Sequence, residues 1–212
     1  MTRVVCLGVC IISLVAACGC SATKQSYVAK GNKLFAAAKY QEAALNYRSA
    51  IQKDAGYGDA YYRLGLTAVK LGQGREAYDS LLRAVQLSPA NVEAKKKFAD
   101  ICLSLYLADP AHLQLFYTQI DNLADGFLAK NPSSYEGLKL KGYLASTDRK
   151  LKDAIQDFRK ALGVSTADPG VVTELAHLLI QDGQVQGGDG GVQEGDGEVQ
   201  EGEQLAANLI VR

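Results

Sequence analysis

The side chains best able to do chemistry in this 212-residue chain are five cysteines and two histidines. Cys6, Cys10, Cys18 and Cys20 crowd into the first twenty residues, and Cys102 stands apart. Four thiols at such spacing could ligate a metal or form disulfides. Their setting points elsewhere. After Arg3 the chain is uncharged and almost wholly apolar from Val4 to Ala17. That is the length of a signal-peptide core, and shorter than the roughly 20 residues needed to span a bilayer. Cys102 falls in an apolar helical pattern, which predicts a packed thiol. His112 and His177 are far apart, with no Cys or Ser nucleophile beside either. No G-x-S-x-G, H-E-x-x-H, P-loop or G-x-G-x-x-G is present. Gly56-Tyr57-Gly58 and Gly72-Gln73-Gly74 read as turns rather than phosphate loops. The expectation is no enzyme, no metal and no cofactor.

The apolar stretch ends Leu14-Val15-Ala16-Ala17-Cys18. Small residues ahead of a cysteine resemble the lipobox of bacterial lipoproteins. The resemblance implies removal of residues 1–17 and acylation of Cys18, the candidate lipidation residue and new N-terminus. It also implies a membrane partner reached through acyl chains, each buried CH₂ contributing about 0.8 kcal/mol. Gly19 stands where an Asp would signal inner-membrane retention, so the implied location is the outer membrane of a cell envelope, facing the periplasm. Cys20 fits less well, because Ala17 would then occupy the place of a larger aliphatic residue. Plain secretion after Ala17 and an uncleaved anchor are the alternatives.

Beyond a short linker (18–23) the chain repeats itself. Tyr27-x-x-x-Gly31 returns as Tyr61-x-x-x-Gly65, and the same offset of 34 links Ala43 to Ala77 and Ala50 to Ala84. A 34-residue period with this alternation of small and large positions resembles the tetratricopeptide repeat (TPR) family. Repeat one covers about 24–57 and repeat two 58–91, where Tyr61, Leu64, Gly65, Gly72, Ala77, Leu81, Ala84 and Pro89 all fall on motif positions. Gly31, Gly65 and Gly142 are expected where the first helix of a pair presses on the second. Ala43, Ala77 and Ala154 are their small counterparts.

A third, divergent unit runs from Val92 to about Lys130. Its second helix is predicted from Asp109-Pro110, with an apolar stripe at Leu113, Phe116, Ile120, Leu123 and Phe127. A fourth unit, 135–168, restores the pattern, and Asp168-Pro169 opens a capping helix to about Asp182. All four prolines follow Ser, Asn or Asp at inferred helix junctions. The fold class is therefore all-α: an α-solenoid of antiparallel helix pairs over 24–182.

Residues 183–212 differ in kind. A seven-residue repeat of Val-Gln with Gly, Glu and Asp carries one apolar residue per heptad, too few for a coiled-coil seam. Dense glycine with charge of one sign predicts a disordered low-complexity tail. The nine-residue motif of calcium-binding β-rolls is not met.

The 23 basic and 23 acidic side chains cancel, which excludes nucleic-acid binding by bulk charge. The cancellation is segmental. Residues 18–181 hold 21 basic and 16 acidic groups, and residues 182–212 hold one and seven. An acidic tail that folds back on the body could compete with an acidic partner.

By the TPR resemblance, five positions of each first helix line a concave groove that binds a protein or peptide ligand. The candidate groove residues are Val28, Asn32 and Phe35 in repeat one and Tyr62, Leu66, Val69 and Lys70 in repeat two. Lys139 and Tyr143 follow in unit four. Asn32 and Lys96 match the family's carboxylate-clamping variant, but Val28, Leu66 and Asp100 do not, so an apolar-aromatic groove is expected instead. Lys95-Lys96-Lys97 reads as a solvated helix face. The implied function is a membrane-anchored scaffold for protein–protein interaction in envelope, pilus or exopolysaccharide assembly. Its alternatives are a polysaccharide-recruiting subunit using Tyr57, Tyr61 and Tyr62, and a secreted soluble adaptor.

Overall fold

The computed structural model describes residues 23–108, 113–165, 168–188 and 192–210. Over these residues the chain is an α-solenoid built from ten helices: α1 (Lys24–Ala36), α2 (Tyr40–Lys53), α3 (Gly58–Lys70), α4 (Gly74–Leu87), α5 (Val92–Ala108), α6 (Leu113–Leu128), α7 (Tyr135–Thr147), α8 (Leu151–Val164), α9 (Pro169–Gly188) and α10 (Val192–Ile210). Each helix packs against the next, giving the pairs α1/α2, α3/α4, α5/α6, α7/α8 and α9/α10. Cys18, its preceding apolar stretch and Asp109-Pro110 lie outside the described residues. Among the described residues no helix is long and apolar enough to cross a membrane.

The pairs close where glycine meets a large side chain. A Cβ placed on Gly31 would fall 2.5 Å from Tyr47 Cε1, one on Gly65 2.6 Å from Leu81 Cγ, and one on Gly142 2.7 Å from Phe158 Cδ1. Only a residue without a side chain lets these helices approach so closely. Ala43, Ala77 and Ala154 are all fully buried, as the repeat register requires.

The turn inside each regular pair is also repeated. Ala38, Gly72 and Arg149 follow their first helices with φ of 57°, 69° and 60°. Behind each, a backbone N–H reaches back over the helix end: Lys39 to Leu34, Gln73 to Ala68 and Lys150 to Ala145, each at 2.9 Å. This is a left-handed helix cap that satisfies carbonyls otherwise unpaired.

Junctions between pairs are fixed by polar caps. Asn91 Oδ1 accepts from the Ala94 N–H at 3.0 Å, and Asp168 Oδ1 accepts from Gly170 N–H at 3.0 Å. The divergent third pair has its own core, with Phe98, Ala99, Cys102, Phe116, Ile120, Ala124 and Phe127 all buried. Leu123 packs against it, half-buried. Tyr78 knits the second pair to the third: its ring lies 5.5 Å from those of Phe98 and Phe116, and its hydroxyl hydrogen-bonds with Gln119.

The C-terminal segment differs from the sequence expectation. α9 runs on to Gly188, and residues 192–210 form α10 against α9. Glycine disfavours a helix in isolation, but here it also permits close approach. A Cβ on Gly202 would stand 2.8 Å from the Ala176 carbonyl oxygen. Leu205 packs onto the cluster of Phe158, Val171, Leu175 and Leu179. Helix formation over this stretch is thus tied to tertiary packing rather than to local propensity.

Candidate functional site

The first helices of successive pairs stand side by side, and their side chains join across the gap. Lys96 on α5 pairs with Glu136 on α7 at 2.7 Å, and Lys139 on α7 pairs with Asp100 on α5 at 3.0 Å. Ser146 on α7 donates to Glu174 on α9 at 2.8 Å. The face these helices form has two halves that differ in character.

In the N-terminal half, α1, α2 and α3 enclose a small recess of about 80 Å³ lined by Asn32, Phe35, Tyr47, Arg63 and Leu66. Tyr47, buried, donates its hydroxyl proton to Asn32 Oδ1 at 2.9 Å, which orients the amide. Burial raises the Tyr47 pKa, so the phenol remains a donor at neutral pH. Phe35 stacks edge-on against Tyr40 with ring centroids 5.2 Å apart. Arg63 is held by Asp59 one turn back at 3.1 Å, with both half-exposed. Tyr62 is half-buried against the third pair's core. Val69 and Lys70 are exposed at the end of α3.

Val28 corrects one expectation. It is 6% exposed and packs among Ala43, Ala44, Tyr47 and Leu64, so it supports the recess from below and offers almost no surface. The motif position specifies a direction, and here that direction points into the seam between α1 and α2.

In the C-terminal half the charges are engaged with one another. The Lys139 side chain is 13% exposed, lies within 4.0 Å of Asp168 as well as pairing with Asp100, and sits 5.7 Å from the Tyr135 ring centroid. Tyr135 donates to Asp168 at 2.7 Å. Burial raises the Asp168 pKa, but the Tyr135 hydrogen bond, the Lys139 charge and two backbone N–H groups outweigh it and leave the carboxyl below its ordinary value. Lys96 is raised, chiefly by its hydrogen bond to Glu136. Tyr143 lies edge-on to Phe158 at 5.0 Å, and burial pushes its hydroxyl up to about 12. Within the basic run, Lys96 is bound to α7 and Lys97 pairs with Asp100 at 3.3 Å.

The structure thus brings Asn32, Phe35 and Leu66 together at the recess, places Tyr62, Val69 and Lys70 elsewhere along α3, and ties Lys139 and Tyr143 into the far half. Arg63 and Tyr47 belong to the recess and were missed. Arg63 falls between the motif's groove positions, and its (i, i+4) spacing from Asp59 was the available signal. Charge follows the same division. Residues 23–91 hold ten basic and five acidic groups, whereas residues 92–181 hold eleven of each. The whole positive excess of the body lies in the first two pairs.

Cys102 is fully buried, and burial holds its thiol up at about 12, so it stays protonated and unreactive. Among the described residues no group of three or more His, Cys, Asp and Glu side chains could hold a metal ion.

The tetratricopeptide repeat family model matches residues 58–91, which are the third and fourth helices. Human DnaJ homolog subfamily C member 3 is 26% identical over 136 residues, covering 63% of this chain. The chain spans about a quarter of that relative's length. Among solved structures, MamA from Desulfovibrio magneticus RS-1 superposes with a TM-score of 0.65 at 13% identity, over 87% of this chain and 96% of the other. YrrB, described as a TPR protein with an unusual peptide-binding site, superposes with a TM-score of 0.60 at 17% identity, over 85% and 84%. These likenesses show a tetratricopeptide-repeat fold.

Proposed function

We propose that this chain is a protein-interaction scaffold whose partner seats on the α1–α3 half of the groove as an extended acidic segment bearing an apolar side chain. The observation that carries this reading is the contrast between the two halves. The C-terminal half has Lys96 and Lys139 on its first helices bound to carboxylates of neighbouring helices, and opening it would strand those carboxylates. The N-terminal half has a recess walled by Phe35 and Leu66, with Asn32 and Arg63 beside it, on two helix pairs that carry a net positive charge. An apolar side chain fits the recess, and acidic neighbours suit the excess. The peptide-binding site described for YrrB, a protein of the same fold, is consistent with such a role.

The lipobox-like pattern ending at Cys18 supports a seat for this scaffold on a membrane surface of the bacterial envelope, where assembly of pili or exopolysaccharide would give it partners. Mass spectrometry of the mature N-terminus tests the anchor: an acylated Cys18 supports it, and an unmodified Cys18 or another start refutes it. Titration of the full chain with acidic peptides and with acidic polysaccharides tests the partner class. Peptide binding that Leu66→Asp abolishes supports the reading. Binding of polysaccharide alone overturns it.

A further inference from the structure

The helices correspond in register across the length of the array. α7 follows α1, α8 follows α2 and α9 follows α3 by the same interval, so that Lys24 matches Tyr135, Tyr40 matches Leu151 and Gly58 matches Pro169. The α1–α3 recess therefore has a counterpart between α7, α8 and α9. There Ser146 stands for Phe35, Glu174 for Arg63 and His177 for Leu66. The counterpart is a cavity of about 470 Å³, with Ser146 and Arg149 on one side and Glu174, His177, Leu178 and Gln181 of α9 on the other. It is roomier than the recess of about 80 Å³, in keeping with a hydroxymethyl group where the recess has a phenyl ring.

Arg149 sets this cavity apart. Its φ of 60° is the left-handed conformation that Gly72 adopts in the second pair at no steric cost. The turn is pinned on both sides of it. Tyr117 and Lys150 both donate to Asp148 Oδ2, at 3.0 and 2.9 Å, and the Lys150 N–H reaches the Ala145 carbonyl oxygen at 2.9 Å. Yet the Arg149 side chain is exposed and makes no hydrogen bond or ion pair with any described residue. The same holds for His177 and Gln181. Glu174, half-buried, already accepts from Ser146 at 2.8 Å. Three side chains able to donate hydrogen bonds thus border one cavity, beside the buried Leu178.

We propose that this cavity is a second binding site, one that takes a carboxylate. The Arg149 guanidinium meets both carboxylate oxygens with paired N–H groups, and His177 and Gln181 donate beside it. An apolar group next to the carboxylate rests on Leu178. A doubly charged phosphate suits the site less well, because Glu174 stands on the facing wall. Strained backbone collects at ligand sites, and an arginine kept in a left-handed turn with no contact inside the fold fits that pattern. The cation comes from the turn between α7 and α8 rather than from a first helix, so this is not the clamp whose positions Asn32 and Lys96 match. The site shares no residue with the α1–α3 recess, and either can fail while the other stands.

The test uses the full chain and follows the imidazole proton signals of its two histidines by NMR, the His177 signal being identified by its loss in His177→Gln. The probes are the peptide Gly-Ser-Gly-Ser-Leu with a free carboxyl end, the same peptide as its carboxamide, and Gly-Ser-Gly-Glu-Leu and Gly-Ser-Gly-phosphoserine-Leu as carboxamides. A saturable shift of the His177 signal is expected with the free-ended peptide, which marks a chain end as the source, or with the glutamate peptide, which marks an acidic side chain. The plain carboxamide is expected to bind about tenfold less tightly. Arg149→Gly relieves the turn and removes the cation, so it is expected to weaken the carboxylate probe about tenfold while the thermal midpoint rises. Ala38→Gly, the same change in the first pair, and Leu66→Asp, which disables the recess, are expected to leave that affinity unchanged. No shift with either carboxylate probe, equal binding of the plain carboxamide, tighter binding of the phosphoserine peptide, or indifference to Arg149→Gly would each overturn the proposal.

Discussion

Gly65 and Leu81 touch so closely that a single added carbon on the glycine would lie 2.6 Å from Leu81 Cγ. Gly31 with Tyr47, and Gly142 with Phe158, stand in the same relation at the same separation along the chain. Each contact closes one helix pair, and together they set the spacing on which the stack depends. Gly65→Ala gains helix propensity but must displace Leu81, for an expected net loss of about 1–3 kcal/mol. Gly163→Ala, with nothing within 4 Å of the new carbon, is expected to gain about 0.5–1 kcal/mol. Urea unfolding of the two variants checks the sign of each.

The turns offer a second comparison. Gly72, Ala38 and Arg149 hold the same left-handed backbone, and only Gly72 does so without a steric penalty. Ala38→Gly and Arg149→Gly are each expected to stabilise the chain by about 1 kcal/mol, against the usual destabilising effect of glycine. Thermal melts of both variants would show a rise in midpoint. A fall would mean that the observed cap geometry is not the one adopted.

Lys139 is a third case, because its position in the repeat marks it for the groove while its contacts mark it for the fold. Lys139→Met leaves Asp100 and Asp168 without their shared cation and is expected to destabilise by about 1–3 kcal/mol. Partner affinity measured below the melting range should change little. A loss of binding without loss of stability would move the seat to the C-terminal half.

Acid should weaken the same network. The carboxyls of Asp168 and Glu136 are held below their ordinary values: burial opposes this in both, and hydrogen bonds and lysine charges outweigh it. A lowered carboxyl contributes stability that is complete above the unfolded value, about 4, and is lost as pH falls through the folded value. Circular dichroism melts between pH 7 and pH 3 should show a midpoint falling most steeply below pH 4, with a shallower fall in Lys139→Met.

Much of this architecture is readable from residue identity, and the reasons are physical. A glycine recurring in an otherwise helical pattern signals close approach, and the proline after Asp168 signals a helix start, because few other roles suit those residues. α10 was not readable in this way. Its glycines argue against a helix in isolation, and the offsetting contacts, Gly202 on Ala176 and Leu205 on the α8–α9 core, come from elsewhere in the chain. The recess was readable in part. Motif position brought Asn32, Phe35 and Leu66 to one recess, yet it could not reveal that Val28 is buried beneath it. Nor could it show that Lys139 is held by Asp168, a residue whose place depends on how α9 is capped.

The proposed seat is tested most directly by a photoreactive residue introduced in the native cell at Leu66, beside the recess, and separately at Leu45, which is 61% exposed on α2. The account predicts a discrete crosslinked protein from position 66, lost when Phe35→Asp is added, and none from position 45. Equal crosslinking from both positions, or crosslinking at 66 that survives Phe35→Asp, would contradict it.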